Sequence, residues 1–178
     1  MSSRKQTQQD ALYDIIAERL TVGVDPDVYE SPIDRGNRLE PEARAVFEFQ
    51  TGKQVSQYGF IESDRSPFIG YSPDGVIVDS DETEDIEIKC PQGKNYVKMW
   101  LTEDWSEDYE WQIVHGFVVN PKLKKRYFVI YNPDIPVHPI HIIEVTREQV
   151  QERVDKANAV LDTFLEEVKG HMDKIISL

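Results

Sequence analysis

The sequence predicts a single α/β domain of the α+β kind, a mixed central sheet flanked by helices and closed by a long C-terminal helix. Three observations predict it. Apolar residues recur at spacings of three and four near both ends of the chain, whereas from Val55 to Lys89 short extended segments alternate with turns. Two further extended runs follow a helix-compatible stretch, giving the order α-α-β-β-β-α-β-β-α. The chain has 178 residues, 39% hydrophobic and 10% aromatic, enough for one compact domain over 1–178, and no linker, repeat or low-complexity tract divides it.

The first helix is expected over 8–20, where Ala11, Leu12, Ile15, Ile16 and Leu20 share a face. Asp25-Pro26 and Ser31-Pro32 mark a turn-rich connection. A second helix is expected over 33–50 with Leu39, Ala43, Val46 and Phe47 as its stripe. Pro41 either kinks that helix or sits in the first turn of a restarted one, since it lacks an N–H and clashes one turn back. Val76-Ile77-Val78 and Ile86-Glu87-Ile88-Lys89 flank the acidic stretch Asp79 to Asp85, which reads as a hairpin loop. Residues 94–101 and 107–119 are helix-compatible, and Arg126 to Tyr131 and Pro139 to Val145 read as strands. The last helix covers 147–176. Its stripe runs Val150, Val154, Ala157, Leu161, Phe164, Val168, Met172 and Ile175, and Thr146 with Gln149 forms a capping box before it.

Composition narrows the function classes. The single cysteine, Cys90, excludes an internal disulfide framework and any four-cysteine zinc or iron–sulfur site. No apolar run reaches a membrane span and Met1 to Lys5 start no apolar signal segment, so the expected location is cytoplasmic, with no membrane partner. The formal net charge of -13 argues against non-specific binding to a polyanion, unless a specific motif gathers cations locally.

Such a motif is present. Ser72-Pro73-Asp74-Gly75 is followed, after twelve residues between Asp74 and Glu87, by Glu87-Ile88-Lys89. Strand alternation puts Glu87 and Lys89 on one face and Ile86, Ile88 and Cys90 on the other. A hairpin at this spacing lays Asp74 beside Glu87. Two converging carboxylates repel unless a cation sits between them, and a hard divalent ion, Mg²⁺ first, suits such oxygens. Lys89 then stands where it can position or deprotonate an attacking water, which is the chemistry of metal-assisted phosphodiester hydrolysis. Taken alone, an E-x-K on a strand is more often a solvated surface pair, and Pro-Asp-Gly is an ordinary turn. Their combination at hairpin spacing is much more specific.

Ser72-Pro73-Asp74-Gly75, Glu87-Ile88-Lys89-Cys90-Pro91 and Gln112 resemble the YqaJ-type phage recombinases, the lambda exonuclease family of the PD-(D/E)xK nuclease superfamily. The resemblance extends to Gly36–Ala43, similar to a G-x-x-x-E helix with Glu40 at its acidic position, to Tyr109, and to the Asn132-Pro133-Asp134 turn. It implies a restriction-endonuclease-like fold. It further implies that Asp74, Glu87 and the backbone carbonyl of Ile88 ligate Mg²⁺, with Mn²⁺ as a substitute, and that Lys89 activates water. Glu40 would support the metal, through water or a second ion, and Gln112 and Tyr109 would contact the reacting region. Ser72 would bind the 5′-phosphate of a DNA end. The implied activity is 5′-end degradation of double-stranded DNA during phage or prophage recombination in a bacterial host. The 3′ single strand is left for an annealing protein, and some members form a trimeric ring. Family members carry a further N-terminal segment that this chain is expected to lack; either Arg4 and Lys5 substitute in part, or the chain is truncated, or end recognition is weakened. Pro41, directly after Glu40, also departs from the pattern.

Other candidates have plainer readings. Lys94 and Lys98, one turn apart after the motif, are placed to meet DNA. Lys122, Lys124, Lys125 and Arg126 form the densest basic cluster, either a solvated loop or a DNA-backbone contact. His115, His138, His141 and His171 make no metal pattern, and His138 and His141 are expected on opposite faces. Trp100, Trp105 and Trp111 read as core before base-stacking platforms, and Cys90 as a buried structural thiol. Two alternatives stand beside the exonuclease: an endonuclease on the same fold, and a non-catalytic acidic scaffold or DNA mimic, against which the intact D…E-x-K set counts.

Overall fold

The computed structural model describes residues 3–23 and 30–177, so the expected turn at Asp25-Pro26 lies outside the described residues, as does the side chain of Arg4. Helix α1 spans Ser3–Leu20 and α2 spans Pro32–Thr51. Ser31 caps α2 by accepting the Asp34 N–H, and Pro32 occupies the first turn, where a missing N–H costs nothing. The helix runs on through Pro41 and stops at Gly52, whose φ of 70° is the left-handed cap that glycine adopts without strain. Pro41 therefore starts no new helix.

Short strands follow: β1 Val55–Ser56, β2 Ile61–Ser63, β3 Ser66–Tyr71, β4 Gly75–Ile77 and β5 Glu84–Lys89. Then come α3 Gly93–Thr102, α4 Ser106–Val119, β6 Lys125–Tyr131, β7 Ile140–Thr146 and α5 Arg147–Ile176. The main sheet has five strands in the order β1-β4-β5-β6-β7, with β2 and β3 paired separately as a hairpin. Among the described strands only β5 and β6 run parallel, Glu87 opposite Phe128, and α3 and α4 form the crossover that such a pair requires. The expected mixed sheet, helical flanks and long final helix are all present.

Both faces of the sheet are covered. On one, Leu39, Ala43 and Phe47 of α2 pack on Ile77, Ile86, Ile88, Tyr127 and Val129. On the other, residues of α1, α3, α4 and α5 pack on Phe128, Ile130 and Val145. Ile86 and Ile88 thus face α2, while Asp85, Glu87 and Lys89 face α4. In α5, Thr146 and Gln149 form the expected capping box and Val150 and Val154 are buried. The stripe does not stay covered, however: Phe164, Met172 and Ile175 are exposed, because the helix outruns the sheet and the hairpin.

Candidate active site

Asp74 and Glu87 come together through strand register. Gly75 on β4 stands opposite Ile86 on β5 in an antiparallel pair, which sets the residue before Gly75 against the residue after Ile86. The glycine of the Pro-Asp-Gly turn is needed for packing: a Cβ there would lie 2.2 Å from Cγ1 of Val55, whose strand β1 closes over β4. Asp74 Oδ2 accepts the backbone N–H of Ile88 at 2.6 Å. Glu87 Oε1 accepts from Lys89 Nζ at 2.6 Å and from Gln112 Nε2 at 2.5 Å. Tyr109, three residues before Gln112 on α4, sets its ring centroid 5.3 Å from Lys89 Nζ, within cation–π range.

These groups border a cleft of about 310 Å³ lined by Glu40, Asp74, Glu87, Lys89, Tyr109 and Gln112 among others. Ser72 lies in an adjoining hollow of about 400 Å³ that shares Glu40 and Asp74 with the cleft. Its hydroxyl donates to the Gly59 carbonyl. Glu87 is only 3% exposed, so the E-x-K is not a solvated surface pair. Burial raises the pKa of both carboxyls above their ordinary range. For Glu87 the Asp74 charge adds to the rise while Lys89 and Arg126 oppose it. For Asp74 the Ile88 N–H opposes it and the Glu40 charge adds.

Among the described residues, no group of three or more His, Cys, Asp or Glu side chains forms a metal cage. What the cleft offers is a carboxylate pair, Glu87 buried and Asp74 half-buried, and no described residue hydrogen-bonds Asp74 Oδ1 or Glu87 Oε2. That donor set fits Mg²⁺, which is usually held by one or two carboxylates and keeps several waters. It does not suit an ion that demands a full protein cage.

Three buried arginines, none singled out in the sequence as structural, hold this constellation. Arg44 donates to the Asp74 carbonyl from Nε at 3.2 Å and Nη2 at 2.9 Å, and to Glu40 Oε1 at 2.5 Å. Arg35 donates to the Cys90 carbonyl at 3.1 Å and to Asn132 and Asp134 at 2.9 and 2.8 Å, which gives the Asn132-Pro133-Asp134 turn its purpose. Arg126 pairs with Asp85 and donates to the Gln112 carbonyl at 3.0 Å. The signal was present for one of them: Arg44 follows Glu40 by four residues on α2, the spacing that puts both side chains on one helix face.

The remaining expectations separate. Arg126 does not belong to a basic surface cluster, because it is fully buried. Lys125 is spoken for by Glu144 at 2.6 Å, and the cluster sits at the opposite end of β5 and β6 from Lys89. Lys94 pairs with Asp14 of α1 at 3.1 Å, and neither Lys94 nor Lys98 lines the cleft. His138 and His141 both lie against Trp100, 5.6 and 5.4 Å between centroids, so they are not separated as strand alternation suggested; His138 precedes β7 and escapes its pleat. Trp100 and Trp105 pack on the core, whereas Trp111 is exposed. Cys90, expected to be buried, is only half-buried on the α2 side of the sheet and borders the cleft, and partial burial pushes its thiol up to about 11.

A family described as YqaJ-like viral recombinase domain matches residues 1–121. Among solved structures, the alkaline exonuclease LHK-Exo from Laribacter hongkongensis is 25% identical, with a TM-score of 0.61 over 98% of this chain and 89% of that one. The same protein in complex with dAMP is 26% identical, with a TM-score of 0.61 over 95% and 87%. No curated protein matches the sequence.

Proposed function

This chain belongs to the YqaJ-like viral recombinase domain family and is a nuclease, and from that premise we propose that it is a Mg²⁺-dependent exodeoxyribonuclease that degrades double-stranded DNA from the 5′ end for phage-type recombination. The observation that carries the proposal is the convergence of Asp74, Glu87 and Lys89 on one cleft, with Gln112 fixed on Glu87. LHK-Exo is an alkaline exonuclease by name, which supports exonucleolytic over endonucleolytic action.

Asp74, Glu87 and the Ile88 carbonyl would hold the ion. It would supply charge stabilisation at the phosphoryl group as the bond breaks. Lys89 would donate to the attacking water and orient it, its positive charge stabilising the negative charge that develops; the Tyr109 ring and Glu87 keep the ammonium over the cleft. Gln112 holds the Glu87 carboxylate at one oxygen and leaves the other for the ion. Glu40, tied to Arg44, supports the same site at the border of the cleft and the adjoining hollow. In that hollow Ser72 would receive a terminal 5′-phosphate. The 3′ strand left behind would pass to an annealing protein, and assembly into a ring would keep the enzyme on DNA.

The test is linear duplex labelled at either end, incubated with protein and Mg²⁺ beside EDTA and Ca²⁺ controls and a closed circular duplex. Mg²⁺-dependent loss from 5′ ends with circles spared is the expected result. Cleavage of circles would make it an endonuclease, and a fully active, folded Lys89→Ala variant would remove the assigned roles.

A further inference from the structure

Arg126 carries chemistry that neither the family's motif nor the cleft explains. The side chain is fully buried, stands second in strand β6, and reaches across to β5 and α4. Its Nε and Nη2 grip both oxygens of Asp85 at 2.8 and 2.6 Å, and Nη1 donates to the carbonyls of Gln112 and Ile113 at 3.0 and 3.4 Å. Asp85 is two residues before Glu87 on the same strand face, and its Oδ2 also accepts the Tyr71 hydroxyl at 2.9 Å. Gly116, one turn after Gln112, makes the room: a Cβ there would fall 2.4 Å from the guanidinium carbon.

A buried ion pair is costly to desolvate and is often replaced by apolar side chains without loss of stability. Stability alone therefore gives no reason for an arginine here. Its geometry does. Resting on the nuclease reading above, we infer that Arg126 is a positioning residue: it fixes the register of α4 against β5 so that the Gln112 amide meets the Glu87 carboxylate. Bidentate pairing to Asp85 fixes one end of the link and the Gln112 carbonyl fixes the other, a fork that lysine's single ammonium cannot reproduce. The fork spans the two elements between which the Gln112–Glu87 hydrogen bond must form.

The experiment uses the full chain and two variants. Arg126→Lys keeps the charge and loses the fork. The triple variant Asp85→Leu, Arg126→Met, Tyr71→Phe removes the polar network with no buried group left unpaired, and serves if the first does not fold. For each, the side-chain amide protons of Gln112 are followed in glutamine-labelled protein by NMR, and kcat and KM are measured on linear duplex in Mg²⁺. The expected result is a folded protein whose Gln112 amide signals move to free-amide positions, with kcat about tenfold lower and KM nearly unchanged. Combined with Gln112→Ala, the Arg126 substitution should add no further loss, as two parts of one unit do. Unmoved Gln112 signals in a folded variant, or losses that multiply with Gln112→Ala, would overturn the inference. Absence of Mg²⁺-dependent cleavage in the unaltered protein would instead sink the proposed Mg²⁺-dependent exonuclease, and the Gln112 signals would still decide the role of Arg126.

Discussion

Arg44 and Asp74 are joined through the backbone: the guanidinium on α2 donates twice to the carbonyl of the aspartate directly before β4. The same Nη2 reaches Glu40. One side chain thereby sets the distance between the helix that bears one carboxylate and the turn that bears another.

Arg44→Met is therefore expected to destabilise by roughly 1.5–3 kcal/mol, the loss of a charged hydrogen bond to a partly buried carbonyl. Activity should fall further than stability, because both Glu40 and Asp74 are released. Denaturant melts beside initial rates at saturating Mg²⁺ check this; equal, small losses in both would contradict it.

The raised pKa values of Asp74 and Glu87 make a sign-definite prediction. Folding favours their protonated forms, so their contribution to stability is full below the ordinary values of 3.8 and 4.5 and is lost as pH rises through the higher folded values. Metal-free protein should weaken from these two groups on going from about pH 4 toward neutrality. Glu87→Gln should flatten that fall and melt higher than the unaltered chain at about pH 8, while Mg²⁺ should raise the melting temperature only where Glu87 is intact. Melting curves across pH, with and without Mg²⁺, read both.

Gly75→Ala should cost about 1–3 kcal/mol through overpacking against Val55. It should also impair cleavage, since the residue before it is Asp74. Adding Val55→Ala returns the missing space, and recovery of both stability and rate in the double variant is the expected outcome. Failure to recover would mean that the backbone and not the side chain of Val55 sets the limit.

Lys122 and Lys124 are exposed at the end of the sheet remote from the cleft. Replacing both by alanine should leave the salt dependence of DNA binding unaltered, whereas each true phosphate contact contributes about 0.9 to the log–log slope. A slope reduced by one or two units would bring that end of the sheet into contact with DNA.

The architecture was legible because periodicity reports which face of an element is covered, and this sheet is covered on both. The Asp74…Glu87-x-Lys89 spacing foretold the convergence, since a hairpin fixes register once its loop length is known. What stayed hidden was the reach of long polar side chains across elements distant in sequence. Arg126 looks like a member of a lysine run, and only the closed β5–β6 pair reveals that it points inward. Lys94 looks free until α1 brings Asp14 beside it. Pro41 looks like a helix break, yet the cap at Ser31 and the packing of Leu39, Ala43 and Phe47 carry the helix past it.

The parallel pairing of β5 with β6 has a consequence for synthesis. A chain emerging from the ribosome as far as Lys89 carries both strands that bring Asp74 beside Glu87, but α4 with Gln112 and the neighbouring strand β6 are still unmade. Parallel strands need a crossover before they can pair, and domains fold as units once enough chain is available. On the proposed site, the set of Asp74, Glu87, Lys89 and Gln112 is therefore complete only after the whole crossover has been translated.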